Sequence, residues 1–209
     1  HNAFPEESHF ADPDYARRAY EIFTEQLKYS ATTRACIFAT IHRPATLMLM
    51  EQLEQAGLPC FVGKVNMDRN SPDTLRETTE ESLSETRRWL EESSDFHMVR
   101  PILTPRFTPS CTDELMDGLG VLQREFGVAM QSHLSENRSE IQWVSELCPD
   151  THFYGESYSR FGLFGEGCPT VMAHCVWSEE EERRLMKNNG VFIAHCPQSN
   201  MNVSSGIAP

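Results

Sequence analysis

The sequence predicts an α/β protein, an incomplete (β/α)8 barrel of the TIM type. Three observations predict it. Short apolar runs of β character alternate six times with stretches of helical periodicity along the 209 residues, which implies a parallel sheet covered by helices. The six runs close on or beside His42, Lys64, Arg106, His133, His174 and His195, and in such a barrel the C-terminal strand ends form the active-site face. No Gly-x-Gly-x-x-Gly follows any strand, which favours the barrel over a doubly wound open sheet.

Each element has a local cause. Asp12 is a good N-cap and Pro13 suits the first helical position. Ala16, Ala19, Tyr20, Phe23 and Leu27 then make one apolar stripe. Residues 35–42 form a short β-type run, followed by a Met- and Leu-rich helix over about 45–56 that stops at Gly57. Residues 60–66 read as one strand, and the acidic stretch 73–92 as an exposed helix anchored by Leu83, Trp89 and Leu90. The run 99–106 contains two prolines, which donate nothing to a ladder. Leu115, Leu119, Leu122 and Phe126 mark a helical face ended by Gly127, and residues 128–133 are strand. Ile141, Val144 and Cys148 mark the next helix. Residues 149–169, rich in Gly and aromatics, form a long connection with a short helix around 157–164, and long connections are often functional. Residues 170–174 are strand, and Ser178 with Glu181 predicts a capping box. Gly190 ends that helix before a last strand over 191–195.

Composition narrows the function. With 18 basic against 31 acidic side chains the net charge is −13, which argues against nucleic acid or an anionic membrane surface as partner. No apolar run approaches a membrane-spanning length, and no signal peptide is visible. Seven cysteines without a Cys-x-x-Cys pair read as reduced, mostly buried thiols of a cytoplasmic protein.

Among the strand-end residues, His133 and His174 recur at the same topological place on neighbouring strands, as zinc ligands do. Glu136, three residues after His133, can address the same ligand and carry protons, or it can simply favour the positive end of a helix. Arg106 beside Phe107 suits a flat polar heterocycle, the guanidinium donating and the ring stacking. The alternative is an Arg that neutralises surface carboxylates. His42, His97 and His152 read as ordinary structural histidines, and His1 and His9 as exposed ones.

Five motifs occur in order: Gly63-Lys-Val-Asn-Met-Asp68, Thr104-Pro-Arg-Phe107, Gln131-Ser-His-Leu-Ser-Glu-Asn-Arg138, Val171-Met-Ala-His-Cys175 and Ala194-His-Cys-Pro-Gln-Ser-Asn200. Together with Ser204-Ser-Gly206 they resemble the guanine deaminases of the amidohydrolase superfamily, over essentially the whole chain. The resemblance implies a barrel domain over residues 1–209 and one Zn2+ per active site. His133 matches the metal ligand of the fifth strand. His174 matches a sixth-strand histidine beside it, itself a possible ligand, and Glu136 matches the acid/base. Arg106 and Phe107 match the pair that recognises the purine, the substrate site also including His133 and Glu136. The implied reaction is hydrolytic deamination: hydroxide on zinc attacks C2 of guanine, ammonia leaves and xanthine forms. A homodimer is implied as well.

Two family features are not found in these residues: the His-x-His of the first strand and the aspartate of the eighth. The chain is therefore expected to cover strands two to seven of a longer protein, with negligible turnover and no stoichiometric zinc of its own. The alternatives are an amidohydrolase for another aminopurine or a triazine, and a non-catalytic fragment or pseudoenzyme.

Overall fold

A computed structural model describes residues 3–208, so His1 lies outside the described residues. The chain divides into two compact units, residues 1–104 and 105–209.

In the first unit the described elements are α1 (Ala3–Ser8), α2 (Pro13–Lys28), β1 (Ala35–Phe38), α3 (Arg43–Gln55), β2 (Cys60–Gly63), β3 (Val65–Asn66), α4 (Thr79–Glu92) and β4 (Arg100–Pro105), whose last residue opens the second unit. Strands β1 and β2 pair in parallel, as do β2 and β4. Asp12 caps α2 as its sequence predicts, accepting the Asp14 N–H at 2.9 Å. The buried face of α2 is Ala16, Tyr20 and Thr24, whereas Phe23 is exposed. The core includes Leu49, Met50 and Leu53 of α3 together with Val62, Ile102 and Trp89, whose indole N–H donates to Met50 Sδ at 3.3 Å.

Two expectations in this unit need correction. Residues 60–66 do not form one strand: Lys64 interrupts it, fully buried, with Nζ donating to Glu77 Oε2 at 2.8 Å. The helix expected over 73–92 begins only at Thr79, because Thr78 and Glu81 form a capping box. That late start leaves Glu77 in the non-helical stretch before it, where it meets Lys64. Desolvation pulls the Lys64 pKa down, and the Glu77 carboxylate opposes that shift. Gly63 is required where β2 approaches β4, since a Cβ there would collide with the Thr104 side chain.

The second unit contains α5 (Asp113–Phe126), β5 (Ala129–Leu134), α6 (Arg138–Leu147), α7 (Glu156–Ser159), β6 (Thr170–His174), α8 (Glu180–Asn189), β7 (Phe192–Ala194) and α9 (Pro197–Asn202). Strands β5, β6 and β7 are parallel neighbours, with His133 opposite Ala173 and Leu134 opposite His174. Gly127 and Gly190 end α5 and α8 at φ +63° and +70°, the left-handed conformation that glycine adopts without a Cβ penalty. The short helix in the long connection lies at Glu156–Ser159 rather than 157–164. The capping box expected at Ser178 does not form. The N-cap of α8 is instead Glu179, one residue later, and Ser178 is buried.

Among the described residues no helix is long and apolar enough to cross a membrane. All seven cysteines are free thiols, and Cys60, Cys111, Cys148 and Cys175 are buried.

The Lys64–Glu77 pair yields a stability prediction. Glu77→Ala leaves a buried ammonium without its carboxylate and should cost about 3 kcal/mol in urea unfolding. Lys64→Met combined with Glu77→Leu should recover most of that loss. Equal stability of Glu77→Ala and wild type would show that the pair carries no such burden.

Candidate active site

The second unit brings four of the sequence-predicted residues together. Arg106, Phe107, His133 and Glu136 line one open cleft of about 550 Å³, joined by Glu140 and Trp143 of α6. The local sequence explains why. Strand β5 carries His133 to its exit, and Ser135 then turns the chain at φ +48°. Asn137 caps α6 by accepting the Glu140 N–H at 2.9 Å, which leaves Glu136 in the turn between strand and helix. Glu140 and Trp143 are three residues apart and therefore share a helix face. The Phe107 ring stands edge-on to Trp143 with centroids 6.1 Å apart, a favoured aromatic geometry.

His174 does not line that cleft. It is buried behind it, its ring stacked on His133 at 5.3 Å and 17°. Its backbone is in the left-handed region at φ +75°, followed by Cys175 at +51°, an uncommon conformation for residues with a Cβ. His174 Nδ1 faces two acceptors, Asn200 Oδ1 at 2.7 Å and Glu136 Oε1 at 3.7 Å. His133 Nδ1–H donates to the Arg106 carbonyl at 2.6 Å. In the His133 ring Nδ1 therefore carries the proton and the lone pair sits on Nε2. Burial lowers the His133 pKa to about 4 against the opposing pull of the Arg106 carbonyl, with His174 and the Arg106 charge lowering it further. The ring is neutral at pH 7.

A neutral imidazole with Nδ1 held by an oxygen acceptor, as in His133, is the form that binds a metal. The donor chemistry of His133 and His174 fits zinc, but only in part. Among the described residues no group of three or more His, Cys, Asp or Glu is placed to hold a metal ion, and a catalytic zinc takes about three protein ligands.

Glu136 Oε1 accepts from the Ser205 hydroxyl at 3.2 Å. Glu140 is the perturbed carboxyl of the cleft. Burial raises its pKa to about 7, the Tyr154 hydroxyl opposes the rise, and the Glu136 carboxylate adds to it.

The remaining strand-end candidates do not join this group. His195 is exposed, as are His9, His97 and His152, while His42 and Lys64 belong to the other unit. The sequence reading missed Glu140 and Trp143 in the cleft and the partners Ser205 and Asn200. Glu140 and Trp143 had a signal, their three-residue spacing on the helix that begins beside Glu136. Asn200 and Ser205 lie in the quoted motifs, and nothing in their spacing marks them as partners of His174 and Glu136.

Glu140 makes the stability of this unit pH-dependent in a defined direction. A carboxyl whose folded pKa exceeds its unfolded value stabilises fully below the ordinary carboxyl range, and that contribution is lost as pH rises through about 7. Glu140→Gln should therefore gain on wild type in denaturant midpoint between pH 5 and pH 8. An identical difference at both pH values would contradict this.

The Amidohydrolase family profile matches residues 2–209. Guanine deaminase of Dictyostelium discoideum is 44% identical over 205 residues, covering 97% of this chain and 45% of that protein. The crystal structure of guanine deaminase from C. acetobutylicum, with guanine bound in its active site, superposes with a TM-score of 0.98 at 47% identity, covering 100% of this chain and 50% of that one. E. coli guanine deaminase superposes at 0.92 with 36% identity, over 99% of this chain and 48% of its own. The chain thus spans about half the length of the relatives it matches. The expected α/β class and barrel family are borne out. The chain belongs to the amidohydrolase family.

Proposed function

We propose that the protein to which this chain belongs deaminates guanine hydrolytically to xanthine and ammonia, with residues 1–209 forming the central part of one barrel domain. The observation that carries the reading is the single cleft in which Arg106, Phe107, His133 and Glu136 meet. The relatives named guanine deaminase, one with guanine bound, support the same substrate class.

In this reading His133 would hold zinc through Nε2, with His174 beside it. Bound zinc would supply a Lewis acid that makes water a nucleophile near neutral pH. The remaining ligands would come from parts of the protein outside these residues. Arg106 donates to the purine carbonyl, and Phe107 stacks on the ring, steadied by Trp143. Glu136 moves the protons. The Ser205 hydroxyl occupies Oε1, so Oε2 takes one proton from the attacking water and passes it to the ring nitrogen, then takes the second from the hydroxyl now on C2 and passes it to the amine, which leaves as ammonia while C2 becomes a carbonyl. Cytoplasmic residence and a homodimer belong to the same proposal, on the strength of the free thiols and the family resemblance respectively.

The assay is xanthine formation from guanine by the full-length protein with zinc supplied. Turnover of another aminopurine or a triazine, without turnover of guanine, would overturn the substrate assignment. Glu136→Gln should lower kcat by roughly a hundredfold or more with KM little changed, because only proton transfer is lost. Arg106→Ala should chiefly raise KM. Unchanged kinetic parameters in Arg106→Ala would remove its recognition role.

A further inference from the structure

The 149–169 connection reaches the candidate site from behind, through Tyr158 of α7. Tyr158 is fully buried and does not line the cleft, yet its hydroxyl stands where the strands that carry the cleft residues converge. It accepts the Thr108 N–H at 3.1 Å, two residues after Arg106, and donates to the His133 carbonyl at 2.8 Å. Ser132 Oγ lies 2.9 Å from the phenol oxygen, 2.6 Å from the Pro105 carbonyl and 3.1 Å from the Arg106 carbonyl. The neighbouring Ser157 hydroxyl adds a 2.7 Å contact to Thr108 Oγ1.

A buried phenol with this many polar neighbours is more than core filling. Two of its contacts are to separate backbone points at or beside the cleft, the Thr108 N–H and the His133 carbonyl, and a buried polar group left unpaired is costly. The contacts tie the Arg106–Phe107 turn to the end of β5. Neither point can slide along the other without breaking a bond to the same oxygen. The Arg106 carbonyl that takes the His133 Nδ1–H is also within reach of Ser132, so the orientation of that imidazole is coupled to the same node.

We propose that Tyr158 is a positioning residue for substrate seating: its hydroxyl sets the register between the Arg106–Phe107 turn and the β5 exit that bears His133. The inference rests on the functional reading above only in taking a flat heterocycle as the seated ligand. Removing the hydroxyl leaves the ring and its volume in place. The direct His133–Arg106 bond also survives, so the effect should fall on binding more than on the chemical step.

The test uses full-length protein carrying Tyr158→Phe, with Tyr20→Phe, a buried phenol of the other unit, as the control. Tyr158→Phe should raise KM for guanine about tenfold, the scale of one buried hydrogen bond, with kcat within about threefold. Ser132→Ala should raise KM in the same way, and the double variant should add little, since both act through one node. A second readout is independent of turnover. Fluorine NMR of 5-fluorotryptophan protein, with the Trp143 resonance assigned by Trp143→Phe, should show that resonance shifted or broadened in Tyr158→Phe and unmoved in Tyr20→Phe. If Tyr158→Phe does not fold, Ser132→Ala carries both measurements. If the wild type turns over no guanine, the functional reading fails and the fluorine spectrum alone decides the positioning role. An unchanged KM with an unmoved Trp143 resonance would overturn the proposal.

Discussion

The cleft depends on one short contact, the 2.6 Å hydrogen bond from His133 Nδ1 to the Arg106 carbonyl. It joins a side chain on β5 to the backbone at the exit of β4, and so spaces the cationic and the imidazole sides of the cleft. It also assigns the His133 tautomer, because a carbonyl oxygen only accepts. Ser132 and Tyr158 bond to the same stretch of backbone. A tautomer that in water would exchange freely is thereby set by packing.

Glu136 and Glu140 share a cleft under different constraints. Glu136 is partly exposed, with the Ser205 hydroxyl and the His174 ring beside one oxygen. Glu140, one helical turn on, is buried and carries a raised pKa. Burial thus brings the titration of Glu140 toward neutral pH. The polar floor beneath them is similarly built. Glu182 is buried with Ser135 Oγ at 2.8 Å and the Gly155 N–H at 2.7 Å, so α8 supports the turn that carries Glu136. This is where the Glu182 side chain goes in a helix whose first turn is otherwise acidic and solvated.

Much of this was legible from local signals. The glycine stops at Gly127 and Gly190, the Asp12 cap and the placement of polar residues at strand exits follow from backbone rules that act within a few residues. The exits picked out Arg106, His133 and, with its three-residue offset, Glu136, because chain direction alone sends them to one end of a parallel sheet. The misreadings share a different cause. The break at Lys64 needs Glu77, thirteen residues away, and the failed cap at Ser178 reflects burial of that residue. Tyr158, Asn200 and Ser205 bond groups 25 to 69 positions distant, and no periodicity records such partners.

The left-handed backbone at His174 and Cys175 has a mechanical consequence. A histidine on ordinary strand geometry can change its aim by a rotamer hop. Here the direction of the Cα–Cβ bond is set by a turn that the Cys175 N–H holds to the Leu134 carbonyl at 2.9 Å, and stacking on His133 and the bond to Asn200 Oδ1 hold the ring on it. Swinging that Cα–Cβ bond round means returning two residues to extended backbone and breaking that tie between β5 and β6. Misalignment and local unfolding are then one event, and the ring stays aimed for as long as the two strands stay paired.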